Sequence, residues 1–343
     1  MSIRCEYFGR TEKGEDVLAF RLENARGAYA RILNYGGVIQ SVCVPGRDGR
    51  LVDVVLGYGT AKEYEGSNGY LGALVGRVAN RIGQAGFDLN GKHYPLPVRE
   101  GSQICLHGGK RGFSFRIWEH RIENDALILS LRSPDGEEGF PGNLDVQVTY
   151  TFSEDGRLKL AYCAQGDADT IVSLTNHVYF NLDGEGDVRG QLLQMKADAF
   201  TEVDETFIPT GRNLPVADTP MDFREAKPIG RDIDADFRQM QLVGGYDHNY
   251  VLSQGENCVR AVSEKTGVTL TLSTDLPGLQ LYTANMLTER VGKAGKPMGK
   301  NSGFCLETQF FPDTPHRPEF PSIVLRAGEV WAHCTEFAFG TEA

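Results

Sequence analysis

Tight-turn dipeptides between short alternating runs constrain the fold of this chain most. Asp48-Gly49, Asn90-Gly91 and Asp155-Gly156 each separate two runs in which apolar and polar residues alternate. Such dipeptides favour β-hairpins, because primed two-residue turns need a positive φ at both central positions. The second half of the chain continues the pattern, with strand-like runs at residues 126–132, 249–252, 268–273 and 279–283. The sequence therefore predicts an all-β, antiparallel protein.

Glycine content supports the same interpretation. The chain has 41 glycines in 343 residues, about 12% against a usual level of about 7%, and they are dispersed without a repeat. Helical spacing is scarce, and only residues 61–65 and 223–233 suggest a turn or two of helix. No Pro/Ser-rich linker and no block of charge divides the sequence. We therefore expect residues 1–343 to form one large β-sandwich domain with a few short helical turns.

Charge and hydropathy exclude several classes of function. Lys and Arg number 35 against 46 Asp and Glu, which gives a net charge of −11. Nucleic-acid binding needs a basic face, so no nucleic-acid partner is expected. No uncharged apolar run reaches the roughly 18 residues that a membrane span requires, so no membrane partner is expected either. The amino terminus lacks the features of a signal peptide, and the sequence predicts a cytoplasmic protein.

Metal and cofactor motifs are missing from the sequence. The seven histidines form no His-x-x-x-His pair, and the seven cysteines form no Cys-x-x-Cys pair, so no metal site is expected. No Gly-x-Gly-x-x-Gly run opens a helix after a strand, and the chain is expected to need no cofactor.

Two loop segments are candidates for ligand binding. Residues 76–83 place Arg77, Asn80 and Arg81 between glycines, a set of donors and acceptors that suits a polyhydroxylated ligand. A salt-bridged turn explains that segment equally well. Residues 106–112 place His107 beside paired glycines and two basic residues, but lack the spacing of a phosphate-binding loop.

Three strand-like segments carry polar residues that need an explanation. Strand alternation puts His177 and Tyr179 on the same face of an otherwise apolar run, where a buried histidine network is the alternative explanation. Asp247 and His248 would point to opposite faces if extended, unless they form an Asx turn. Glu307 stands in a run too apolar for a carboxylate without a specific role.

Together these segments resemble the aldose 1-epimerase family, also called the galactose mutarotase family. The matching motifs, which occur in the family's order from residue 34 to residue 329, are Asn34–Gly37, Gly76–Ile82, Leu106–Gly109, Asn176–Leu182, Tyr246–His248, Leu306–Gln309 and Pro321–Glu329. One departure is Val178, where the family often has serine. Each motif is weak alone, but their shared order spans almost the whole chain.

The resemblance implies a large antiparallel β-supersandwich that binds a sugar. It implies that His177 is the general acid and Glu307 the general base. The substrate-binding residues that it implies are Asn80, Arg81, His107, Asp247 and Gln280. Tyr179 is added to this set because strand alternation places it on the same face as His177. The activity it implies is the interconversion of α and β anomers of free aldohexoses such as galactose and glucose, by ring opening, rotation about C1–C2 and reclosure. Ordinary pKa values near 4.3 for Glu and 6.5 for His suit such a pair near neutral pH.

Other functions remain open at this stage. A catalytically silent carbohydrate-binding or regulatory module would retain the sandwich without the rate enhancement. A glycoside hydrolase would use Asp247 and Glu307 as its carboxylate pair. A hexose-6-phosphate epimerase would need an anion pocket, for which Arg77, Lys110 and Arg111 are the candidates. The preferred aldose also stays open, as does the choice between a monomer and a homodimer.

Overall fold

The computed structural model describes residues 2–67, 69–98, 100–253 and 255–342. Within these ranges the first strands are β1 (Ser2–Arg10), β2 (Asp16–Glu23), β3 (Tyr29–Leu33), β4 (Ile39–Pro45), β5 (Leu51–Asp53), β6 (Leu74–Val75), β7 (Arg81–Ile82), β8 (Gly86–Leu89), β9 (Lys92–Pro95) and β10 (Cys105–Leu106). The middle strands are β11 (Glu119–Glu123), β12 (Ala126–Ser133), β13 (Leu144–Phe152), β14 (Arg157–Gly166), β15 (Thr170–Ile171), β16 (Thr175–Asn176), β17 (Tyr179–Phe180), β18 (Leu192–Met195), β19 (Ala197–Val203) and β20 (Pro209–Pro215). The last strands are β21 (Lys227–Pro228), β22 (Asp247–Leu252), β23 (Gly255–Val262), β24 (Val268–Thr274), β25 (Gly278–Tyr282), β26 (Arg290–Val291), β27 (Pro297–Met298), β28 (Phe304–Gln309), β29 (Val324–Leu325) and β30 (Val330–Thr341). Two short α-helices, α1 (Ala61–Glu65) and α2 (Arg238–Val243), join them in the described ranges, with 3-10 helices at Phe113–Phe115, Glu137–Gly139, Val188–Gly190, Lys293–Gly295 and Thr314–His316.

Three large sheets organise these strands. The first runs β1-β2-β3-β4-β5, and the largest runs β11-β12-β13-β14-β30-β24-β23-β18-β21. The third, a six-stranded sheet, runs β17-β28-β25-β22-β19-β20. The ladders within the three sheets are antiparallel, which confirms the predicted all-β, antiparallel architecture.

The apolar core lies between the sheets. Along β13 and β14 buried residues alternate with more exposed ones, so the nine-stranded sheet covers the core with one face. In the six-stranded sheet β28 is buried along its whole length. Phe180 of β17 connects the two sheets, because its ring centroid lies 5.1 Å from that of Phe337 and 6.0 Å from that of Phe304.

The three predicted hairpins form, but their turns differ. At Asn90-Gly91 both residues have positive φ, 53° and 76°, as a primed two-residue turn requires. At Asp48-Gly49 and Asp155-Gly156 only the glycine does, with φ of 78° and 82°. These two loops are longer, and the glycine occupies the left-handed position that follows the turn. The expected primed turn is therefore wrong at two of the three positions.

One of the two predicted helical segments is confirmed and the other is wrong. Helix α1 occupies the predicted residues 61–65, and Thr60 and Glu63 form its capping box. The helical turn expected at residues 223–233 is wrong, because Pro228 lies in β21 there and cannot support a helix interior. Helix α2 forms downstream and ends at Gly244, whose φ is 70°. In the described ranges no helix has both the length and the apolar character needed to span a membrane.

Candidate active site

One face of the six-stranded sheet carries a row of polar side chains. Asp247 of β22 pairs with Tyr282 of β25, and Gln280 of β25 pairs with Glu307 of β28. Residues paired across neighbouring strands share a face, and each face recurs every second residue along a strand. The antiparallel register therefore places these four side chains on the same side of the sheet.

The opposite wall consists of two loops joined by the short β7–β10 ladder. Two hydrogen bonds between Asn80 and His107 connect the loops. The Asn80 N–H donates to Nδ1 of His107 over 3.2 Å, and the His107 N–H donates to the Asn80 carbonyl over 2.9 Å. Gly108, with φ of 81°, lets the loops approach, because a Cβ there would lie 1.9 Å from the Gly76 carbonyl oxygen.

A cleft of about 280 Å³ lies between the two walls, near the lower limit of ligand pockets in proteins. Seven of the eight predicted site residues line it: Asn80, Arg81, His107, His177, Tyr179, Asp247 and Glu307. The eighth, Gln280, contacts one of them, because its Nε2 donates to Oδ1 of Asp247 over 2.7 Å. The structure thus brings all eight predicted residues together.

His177 and Glu307 form the innermost pair. Nε2 of His177 lies 3.6 Å from Oε1 of Glu307, and the two residues are only 5% and 2% exposed. The His177 backbone is held at both polar groups, since its N–H donates to the Ala73 carbonyl and its carbonyl accepts from the Gly72 N–H. The pair therefore has a fixed location, largely removed from solvent.

Burial changes the proton affinities of this pair. It raises the pKa of Glu307 well above its usual value, with the Asp247 charge adding to the effect. It lowers the pKa of His177 to about 4. Both shifts disfavour the charged forms, so the ordinary pKa values used in the sequence argument do not apply here. Burial thus favours a protonated carboxyl beside a neutral imidazole over an ion pair.

A hydrogen-bond network orients the neighbouring carboxylate. Oδ2 of Asp247 accepts from Nη2 of Arg81 over 3.3 Å, while its Oδ1 accepts from Gln280. Two buried oxygens beside the network, Oε2 of Glu307 and Oε1 of Gln280, have no protein hydrogen-bond partner among the described residues. Buried acceptors are costly unless a donor reaches them. A ligand with hydroxyl groups would supply such donors.

Aromatic rings enclose the His177 imidazole. Tyr179 and Tyr70 stack on it at centroid distances of 5.0 and 5.9 Å, with interplanar angles of 19° and 18°. The Tyr179 hydroxyl donates to the Gly69 carbonyl, so the residue contributes its ring face to the site. Sequence reasoning missed Tyr70, which stands in no motif, and Tyr282, whose spacing two residues from Gln280 was a usable signal.

The anion pocket considered for Arg77, Lys110 and Arg111 does not form. The Arg77 side chain is directed away from the cleft into backbone carbonyls. Lys110 and Arg111 are exposed, and their backbone N–H groups donate to the carboxylate of Glu138. Arg77 and the Lys110–Arg111 pair therefore belong to different environments.

One set of donor atoms could approach a divalent cation. Nitrogens of His107 and His177 and an oxygen of Glu307 lie within 4.8 Å of one another. Local histidine spacing in the sequence does not reveal this set, because the three residues come from separate segments. The same atoms line the cleft, where they can also bind and protonate an organic ligand.

Comparison with known proteins identifies the family. The sequence model described as aldose 1-epimerase matches residues 19–338 of the chain. The chain belongs to the aldose 1-epimerase family. It is 43% identical to galactose mutarotase from Sus scrofa, with 99% of each chain covered. It is 37% identical to aldose 1-epimerase from Escherichia coli strain K12, with 96% of this chain and 97% of that protein covered.

A solved structure extends the similarity to the fold. Galactose 1-epimerase from Lactobacillus acidophilus NCFM superimposes with a TM-score of 0.89 at 28% sequence identity, with 100% of each chain covered. The predicted family, the enzyme class and the β-supersandwich fold of galactose mutarotases are confirmed.

Proposed function

We propose that the chain interconverts the α and β anomers of free aldohexoses such as galactose and glucose. The observation that carries this proposal is the buried His177–Glu307 pair, which lies 3.6 Å apart in a cleft lined with hydrogen-bonding groups. Relatives named galactose mutarotase and aldose 1-epimerase support the same activity over its alternatives.

Ring opening requires one proton to leave and another to arrive. Glu307 takes the proton of the C1 hydroxyl, and the C1–O1 carbonyl forms as the bond between C1 and the ring oxygen breaks. The ring oxygen keeps that electron pair and takes a proton from Nε2 of His177. Rotation about C1–C2 presents the other face of the aldehyde, and the same steps in reverse close the ring. The pair holds one proton at the end of the cycle, as at its start.

Sugar binding prepares the pair for this reaction. Hydroxyl groups that donate to Glu307 replace the solvation lost on burial, which favours the ionised carboxylate. Stacking of Tyr70 and Tyr179 on the imidazole favours its charged form. The bound sugar thus shifts the shared proton toward His177, where the ring oxygen can receive it.

The other predicted site residues suit a neutral polyhydroxylated substrate. The charges of Arg81 and Asp247 offset each other, and their polar atoms with those of Gln280 can orient hydroxyl groups. Nδ1 of His107 accepts a hydrogen bond, so the proton of its neutral ring lies on Nε2, which can donate to the sugar. Both oxygens of Asp247 are engaged, an arrangement that suits orientation better than the nucleophilic role a glycoside hydrolase would require.

We expect the purified chain to accelerate the decay of optical rotation of freshly dissolved α-D-galactose and α-D-glucose. Polarimetry against a buffer blank measures the effect. The acceleration should be smaller for hexose 6-phosphates, because Arg77, Lys110 and Arg111 do not line the cleft. A rate equal to the blank despite sugar binding would identify a binding module and contradict the proposal. Release of new reducing ends from a disaccharide would instead indicate hydrolysis.

We also propose a single domain over residues 1–343 and a cytoplasmic enzyme of hexose metabolism, active as a monomer or homodimer. One core cluster with members from Phe20 to Phe339 supports the single domain. Free cysteine thiols in the interior support a reducing compartment.

A further inference from the structure

Asp313 binds the short strand β7 along the edge that β10 leaves open. Its backbone N–H donates to the Arg81 carbonyl over 2.8 Å. Oδ1 of its carboxylate accepts from the Gly83 N–H over 2.9 Å. Strand β7 has only two residues, so β10 and Asp313 together hold it on both edges. The side chain of Arg81 extends from this strand to Asp247 in the cleft.

The Asp313 carboxylate is buried and itself held in place. The residue is 3% exposed, and its φ of 58° lies in the left-handed region, which Asp and Asn enter more readily than most residues. Nδ1 of His316 lies 2.7 Å from Oδ1, and Nε of Arg317 lies 3.2 Å from Oδ2. A buried carboxylate needs such partners. The turn after Asp313 thus directs its carboxylate toward β7.

Asp313 also follows closely on the strand that carries Glu307. Strand β28 ends at Gln309, and Asp313 comes four residues later, directly after Pro312. The proline ring restricts the backbone of this connection. The segment that leaves the acid–base pair therefore binds the strand that carries Arg81, so the two sides of the cleft are joined at Asp313.

We propose that Asp313 is a positioning residue for sugar binding, which holds β7 so that the Arg81 guanidinium meets the sugar. The inference rests on the proposed function, in which Arg81 helps to orient a hydroxyl group. A displaced donor loses the distance and angle that its hydrogen bond needs. His177 is held by Gly72 and Ala73 instead. Loss of the Asp313 carboxylate should therefore weaken sugar binding and leave the proton transfers in place.

Three variants test this role. Asp313→Gly removes the acceptor for the Gly83 N–H and adopts the left-handed φ without strain. Asp313→Asn keeps an oxygen in the same place and also tolerates that φ. Asp169→Gly is the matched control, because the Asp169 carboxylate likewise binds a backbone N–H and an arginine, those of Ala327 and Arg326, outside the cleft.

We expect the KM for galactose to rise about 10- to 100-fold in Asp313→Gly, as for the loss of a hydrogen bond from a charged donor, with kcat nearly unchanged. Asp313→Asn and Asp169→Gly should keep the parent KM. A purely structural role would lower the fraction of folded chain and hence the apparent kcat, but it would not change KM.

Sugar affinity measured without turnover supplies a second readout. In saturation-transfer NMR titrations, the Kd for galactose should rise in Asp313→Gly by the same factor as KM. A parent chain that binds galactose without mutarotase activity would contradict the proposed function, while these affinities would still test Asp313. An unchanged Kd in Asp313→Gly, or an equal rise in Asp313→Asn or in Asp169→Gly, would overturn the inference.

Discussion

Replacing Glu307 by glutamine should remove most of the rate acceleration and yet stabilise the folded chain. The amide cannot take the proton of the C1 hydroxyl, and a general base typically contributes about 10²- to 10⁴-fold to a rate. We expect mutarotation of α-D-galactose to slow by a factor in that range. Polarimetry at saturating sugar, corrected for the spontaneous rate, measures it.

The gain in stability follows from the burial of the carboxylate. Glu307 is 2% exposed, and its folded-state pKa is raised well above the unfolded value. A raised carboxyl pKa means that the unfolded chain loses the proton first as the pH rises, so the native state loses stability through and above the ordinary value near 4.3. Glutamine has nearly the same shape and no charge to bury. The advantage of Glu307→Gln should therefore be small below pH 4 and grow as the pH rises.

Thermal unfolding of the parent chain and of Glu307→Gln, from below pH 4 to neutral pH, measures this gain in stability. Glu119→Gln is the control, because Glu119 is an exposed carboxylate on β11 and its loss should leave both rate and stability unchanged. A glutamine variant that retains the parent rate would remove Glu307 from the role of base. If the stability of Glu307→Gln relative to the parent chain fell as the pH rises, the proposed cost of burying the Glu307 carboxylate would be contradicted.

The sequence predicted those elements of the fold that depend on only a few neighbouring residues. The hairpin at Asn90-Gly91 and helix α1, with its capping box at Thr60 and Glu63, follow from such rules. The order of strands in the sheets does not, since β30 inserts between β14 and β24 from the far end of the chain. Pairing of that kind is decided by packing over long sequence separations.

The site was predictable where polar residues stood in apolar strands. Glu307 and His177 were conspicuous for this reason, and the structure places them 3.6 Å apart. Their pKa shifts were not predictable, because these depend on burial by residues distant in sequence. Tyr70 was missed for a similar reason, as it reaches His177 from a loop without a motif. Arg77 was considered for an anion pocket because sequence alone does not show the direction of a side chain.

Replacing Arg77 by methionine should cost the chain much of its stability. Arg77 is 2% exposed, and its guanidinium donates to the Ser133 side chain and to the backbone carbonyls of Ser133, Pro134, Pro141 and Gly142. Burial lowers its pKa to about 10, so the group stays charged at neutral pH. Methionine would fill the space but supply no donor. Each buried acceptor left unpaired costs about 1–3 kcal/mol, so we expect a loss of at least about 3 kcal/mol.

Urea unfolding of the two chains measures this loss as a lower transition midpoint. Arg111→Met is the matched control, because that side chain is exposed and its substitution should leave the midpoint nearly unchanged. The KM for galactose should stay the same in the folded Arg77→Met chain, because the guanidinium points away from the cleft. A variant of normal stability that binds sugar more weakly would instead place Arg77 in the substrate site. That result would support the alternative in which Arg77 helps to bind a phosphorylated substrate.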